Sequence, residues 1–132
     1  RVARARRGGA RCWVLRYGHR VTYALEGARS GDAEGVSVGI VDLRTVYPLD
    51  KDAIIASARK TGKCLVLYED NFTISVGSEV AALIADEAWR WLDAPVTKHV
   101  GGAGEIDHHT RRNRPVLDEG RKRLASVLWR QF

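Results

Sequence analysis

The 132 residues contain no methionine. An open reading frame starts with one, and a Met ahead of a bulky Arg1 is normally retained, so the chain is expected to be a piece of a longer one. Cysteine is nearly absent as well. Cys12 and Cys64 are too few for a disulfide scaffold and show no metal-ligand spacing, so a reducing, cytoplasmic setting is expected. No apolar run approaches the roughly 20 residues that cross a bilayer, so no membrane partner is expected. The start lacks the charged, apolar and small-residue order of a secretory signal. Acids are missing from residues 1–20, which hold seven Arg.

What is present is ordinary for a folded chain. Hydrophobic residues make up 45% and charged residues 29%, which excludes disorder and fits one domain over residues 1–132. The net charge of +6 is unevenly spread. Residues 111–132 carry seven basic and two acidic groups, while 21–110 hold eight basic against fourteen acidic. The basic character therefore sits at the two ends. Such a pattern fits an anionic partner or solvated termini. No helix-turn-helix, zinc finger or stacked-aromatic motif accompanies the Arg residues, which argues against nucleic acid.

Strand and helix signals alternate. Residues 12–17, 37–43, 63–69 and 96–100 read as strands, the middle two as nearly continuous apolar runs of the kind covered on both faces. Val21, Ala24, Leu25 and Ala28 recur at helical spacing over 19–30, and Gly31 is expected to end that helix. Asp50 reads as an N-cap for a helix over 51–61, with Asp52 in its first turn, Arg59 and Lys60 in its last, and Gly62 as a left-handed C-cap. Val76, Val80, Leu83, Ile84, Trp91 and Leu92 form an apolar stripe along a further helix, stopped at Ala94-Pro95. Residues 101–117 have no period and read as an atypical loop, and Asp118 is placed to cap a last helix. Alternation of this kind implies a mostly parallel sheet with helices on both faces, and ligands of such sheets gather at the strands' carboxyl ends.

Those ends supply candidates. Asp42 and Arg44 flank Leu43, a pair that could bind a ligand or fix a loop. Glu69 and Asp70 are paired carboxylates, but neighbours on a strand point to opposite faces and need not converge. His108-His109 lack the third partner that a metal needs. Gly101-Gly102-Ala103-Gly104 lacks the Lys and Ser/Thr of a phosphate loop. Trp89 and Trp91 diverge by about 200° on a helix, so Trp91 lies on the apolar stripe while Trp89 leans away. An exposed Trp89 beside Asp93 is a candidate partner contact. Nothing composes a complete catalytic site.

The stretch Val41-Asp-Leu-Arg-Thr-Val-Tyr-Pro-Leu-Asp50, then Ala53-Ile-Ile-Ala-Ser-Ala-Arg-Lys-Thr-Gly-Lys63, resembles the beta subunit of the E1 component of 2-oxoacid dehydrogenases. So do Gly77-Ser-Glu-Val-Ala-Ala-Leu-Ile-Ala-Asp-Glu87 and Leu92-Asp-Ala-Pro-Val96. The likeness is to that subunit's C-terminal, transketolase-C-like domain and runs from about Arg1 to Gly101. The matching domain of deoxyxylulose-phosphate synthase fits less well. The resemblance implies an α/β fold, a three-layer α/β/α sandwich on a mostly parallel five-stranded sheet with one antiparallel edge strand. The residue pattern itself shows four of those strands. The resemblance also implies a parent that uses thiamine diphosphate and magnesium to decarboxylate pyruvate or a branched-chain 2-oxoacid. Because the cofactor sits between other domains, this chain alone is expected to bind no cofactor and to turn nothing over.

The implied partners are an E1 alpha chain, a second beta chain and the E2 acyltransferase. Asp93 and Phe132 lie where E2 docking would be sought. There are departures from the family. Tyr68 replaces a His, Ile74-Ser75 replaces Gly-Gly, and residues 101–114 replace a Pro-rich segment. Ile does not adopt positive φ cheaply, so the loop before the long helix is expected to take another path. The alternative function is a diverged, non-catalytic binding module whose Arg-rich ends hold an anionic partner, and steep salt dependence would mark it.

Overall fold

A computed structural model describes residues 3–8, 11–17, 21–33, 35–68, 70 and 73–100. The expected loop over 101–117, the helix after Asp118 and Phe132 lie outside the described residues. Along the chain come β1 (Arg4–Arg7), β2 (Cys12–Arg16), α1 (Val21–Ala33), β3 (Val38–Asp42), α2 (Lys51–Thr61), β4 (Cys64–Tyr68), α3 (Val76–Glu87), a 3-10 turn (Trp89–Trp91) and β5 (Thr97–Val100). The sheet order is β1-β3-β2-β4-β5. β2 pairs in parallel with both β3 and β4, β4 pairs in parallel with β5, and β1 closes one edge antiparallel to β3.

Side-chain alternation sorts the core into two halves. Val14 of β2 faces one way, with Val38, Ile40, Leu65 and Leu67, and is covered by Ala24 and Ala28 of α1. Trp13 and Leu15 face the other way, with Val41, Val66 and Tyr68, and meet Ile54, Ile55 and Ala58 of α2 and Val80 and Ile84 of α3. Every residue of β3 and of β4 is buried, which is why both read as apolar runs. The three-layer α/β/α architecture with one antiparallel edge strand is therefore as expected.

The fifth strand is the Arg-rich start. Arg4 lies opposite Asp42 and Ala5 opposite Val41, and the register shifts between Ala5 and Arg7. Charged side chains and an irregular register are common devices on an exposed edge, where they discourage pairing with another chain. Asp50 ties this strand down. Its carboxylate accepts from the Ala3 backbone N–H at 2.8 Å and from the Ala53 N–H of α2 at 3.1 Å.

Helix α2 has the expected bounds. Gly62 closes it at φ 68, and its N–H donates to the Ala58 carbonyl. Helix α1 does not stop at Gly31 but runs on to Ala33. The left-handed residue that ends it is Gly35, at φ 79, and the Val36 N–H then returns to the Gly31 carbonyl at 2.8 Å. A Cβ on Gly31 would lie 3.1 Å from the Val36 carbonyl oxygen, so that glycine permits a close approach rather than a cap.

Helix α3 starts where expected, with Ser75 as its N-cap, but ends at Glu87 and not beyond the tryptophans. Trp89–Trp91 form a separate 3-10 turn. Trp91 therefore leaves the apolar stripe and is 45% exposed, while Val80 and Ile84 remain fully buried.

Candidate functional site

After β2 the chain crosses one face of the sheet as α1, and after β3 it crosses the other face as α2. The strand order therefore reverses beside β2, and the crevice of such a sheet opens between the carboxyl ends of β2 and β4. Tyr17 and Tyr68 meet there, with ring centroids 6.4 Å apart and planes 12° from parallel. The Tyr17 hydroxyl is buried, faces the Asp70 carboxylate and the Gly77 backbone, and makes no hydrogen bond of good geometry. Burial first, and the Asp70 charge second, push its pKa up to about 12. Gly77, in the first turn of α3, has no room for a side chain, because a Cβ would run into the Tyr68 ring. The crevice is thus filled by two rings and a helix. In the sequence Tyr68 stood out only as a departure from the family, and its pairing with Tyr17 did not, since only the strand order brings the two together.

The other strand-end candidates are spread around this stack. Asp42 is buried at the end of β3, in register with buried Arg16 of β2, so opposite charges lie side by side. The Asp42 carboxylate accepts from the Arg44 backbone N–H at 3.2 Å, folding the chain into a tight turn. Arg44 itself takes φ 62 and exposes its side chain. The turn leads to Tyr47, which is 91% exposed. Glu69 lies outside the described residues. Asp70 is half-buried beside Tyr17.

In the loop before α3 the isoleucine does adopt the positive φ that its branched side chain disfavours. Ile74 stands at φ 52, in the left-handed region, with its side chain 99% exposed. The next residue is the N-cap of α3: the Ser75 side chain accepts from the Ser78 N–H at 3.3 Å. Lys98 of β5 donates to the Ser78 hydroxyl at 3.1 Å. Ile74, Ser75, Val76, Ser78, Glu79 and Ala82 line an open depression of about 550 Å³.

At the opposite end of the sheet lies an aromatic and basic face. Trp89 is 61% exposed. The Arg59 guanidinium lies 4.2 Å from the Trp91 ring centroid, and that of Arg90 lies 5.2 Å from Trp89. Lys60 sits 5.5 Å over the Trp13 ring. Asp93 is exposed beside them, its backbone N–H donating to the Gly62 carbonyl at 2.8 Å. Trp89 and Asp93 therefore share one surface.

Among the described residues no group of three or more His, Cys, Asp or Glu could hold a metal ion, and no helix is long and apolar enough to cross a membrane. Residues 2–114 match the family described as the transketolase C-terminal domain. The chain belongs to that family. The transketolase C-terminal domain formed here has relatives among E1 beta subunits. It is 46% identical over 99 residues to the 2-oxoisovalerate dehydrogenase subunit beta of Bacillus subtilis, covering 75% of this chain and 30% of that protein. It is 36% identical over 99 residues to the pyruvate dehydrogenase E1 component subunit beta of Rhizobium meliloti, covering 75% of this chain and 22% of the relative. The chain thus spans less than a third of either. In shape it resembles a split-gene transketolase, an inactive beta4 tetramer, with TM-score 0.78 and 21% identity over 98% of this chain and 40% of the other. That likeness concerns the fold.

Proposed function

We propose that this transketolase C-terminal domain is the assembly and docking part of an E1 beta chain. The parent would be a thiamine-diphosphate-dependent dehydrogenase of pyruvate or a branched-chain 2-oxoacid, working in the cytoplasm. The observation that carries the reading is the 46% identity to a 2-oxoisovalerate dehydrogenase beta subunit across most of the chain. The geometry is compatible with a supporting role. The crevice where ligands of such sheets gather is occupied by the Tyr17–Tyr68 stack. No catalytic step is assigned to the described residues. The domain's task is to hold surfaces for an alpha chain, a second beta chain and E2, with Trp89, Asp93 and Phe132 as candidate contacts.

The Arg-rich start needs no anionic ligand on this reading, since Arg4–Arg7 form the guarded edge of the sheet. Peptide mapping of the endogenous protein, captured with an antibody to this domain, tests the proposal. Expected are peptides extending upstream into a pyrimidine-binding domain, together with an alpha chain and E2. A natural chain that begins near Arg1 and brings down neither partner would overturn it.

A further inference from the structure

We propose that the face built by Arg59 and Lys60 of α2 and by Trp89, Arg90 and Trp91 of the 3-10 turn binds a short carboxylate-bearing segment of a partner protein. This deepens the docking reading by naming the partner's chemistry, and rests on it only for the partner's belonging to the same enzyme.

Two tryptophans on one three-residue turn are exposed by 61% and 45%, which puts two large aromatic rings side by side on the surface. Each carries a guanidinium on its ring, Arg59 on Trp91 and Arg90 on Trp89. A guanidinium over an aromatic ring still has N–H donors to offer, and their fork geometry matches a carboxylate. Neither these arginines nor Lys60 forms an ion pair among the described residues. Among the described residues these donors are thus placed beside the rings with no acidic partner. Tryptophan and arginine are also the residue types that dominate interface centres.

The surrounding charge decides what kind of anion fits. Asp86, Glu87 and Asp93 are exposed around the same end of α3 and the turn. A nucleic-acid backbone, with a charge every few ångströms, would run against these carboxylates. A peptide with one or two carboxylates among aliphatic residues avoids them, and lays its apolar side chains on the tryptophan faces. A basic segment would instead meet three cations.

Nuclear magnetic resonance of the isotope-labelled 132-residue chain reads this directly from the indole N–H signals. The probes are a dodecapeptide of Leu and Ser that carries two Glu, the same peptide with Gln for Glu, and an oligothymidylate of equal length. Expected are saturable shifts of the Trp89 and Trp91 signals with the Glu peptide, a still Trp13 signal, and weakening with salt. Arg59→Gln with Arg90→Gln should weaken binding by about tenfold or more, since hydrogen bonds to charged groups are lost. Arg59→Lys with Arg90→Lys, which keeps the charge and removes the fork, should fall between. No shift at millimolar peptide, an equal response to the Gln peptide, tighter binding of the oligonucleotide, or shifts that follow protein concentration alone would each overturn the proposal. Peptide binding would survive a failure of the endogenous chain to bring down E2, so the two readings fail separately.

Discussion

Ile74 offers a test of how this domain accommodates a residue that its backbone disfavours. The residue sits at φ 52, where an L side chain crowds the following carbonyl. That conformation costs about 1–2 kcal/mol for most residues, and β-branching places Ile at the upper end. Ordinarily burial would offset such strain, but the side chain is 99% exposed, so removing it sacrifices no packing. Ile74→Gly therefore relieves the whole strain, less about 0.5–1 kcal/mol for the extra freedom of the unfolded glycine chain. The expected net gain is about 1 kcal/mol. Ile74→Asn should gain at least as much, because Asn visits the left-handed region without loosening the unfolded chain as glycine does. At this chain length the gain corresponds to a rise in Tm of about 3–5 °C. Urea melts followed by circular dichroism should show a higher midpoint with an unchanged slope. If both variants melt at or below the parent, Ile74 is not held at positive φ in solution and the reasoning fails.

Three further outcomes follow from the same geometry. Gly77→Ala should destabilise by about 1–3 kcal/mol in urea melts despite the better helix propensity of alanine, because its Cβ meets the buried Tyr68 ring; an unchanged midpoint would mean that α3 does not press on that ring. Asp50→Ala should cost about 2 kcal/mol, one part from the lost N-cap and one from the lost bond to the Ala3 N–H, and hydrogen exchange of β1 should speed up with it. Tyr17, with its pKa raised from 10.0 to about 12, should appear in ultraviolet titration as a late-ionising tyrosine. Because the fold favours its neutral form, its contribution to stability is complete below pH 10 and falls as pH climbs through about 12, where the unfolded chain gives up that proton first. Asp70→Asn should bring the ionisation earlier.

Helix α2 was legible to the residue, because Asp50, Asp52, Arg59, Lys60 and Gly62 act within one or two turns of their own positions. The strands β2, β3, β4 and β5 were legible within a residue or two at each end. Strand β1 was not. Its Arg-Ala-Arg-Arg sequence has no apolar alternation, and it becomes a strand only by pairing with β3 and by the bond from Ala3 to Asp50. The end of α3 was misjudged because Trp91 and Leu92 continue the apolar spacing, whereas Ala88 takes a non-helical conformation and starts a tighter turn. Of the candidate residues, Trp89 and Asp93 share one surface, Asp42 and Arg44 build one turn, and Asp70 joins a tyrosine pair that no local pattern announces.

The amino-acid sequence by itself determined the alternation of strands and helices, the caps of α2 and the apolar faces that form the two halves of the core. These depend on interactions between residues a few positions apart and on burial that any packed sheet would supply. Only the tertiary structure decided that the Arg-rich start guards an edge, that Tyr17 stacks on Tyr68, and that Arg59 lies on Trp91. Each of those joins residues far apart in the chain, and strand order alone sets which distant residues become neighbours.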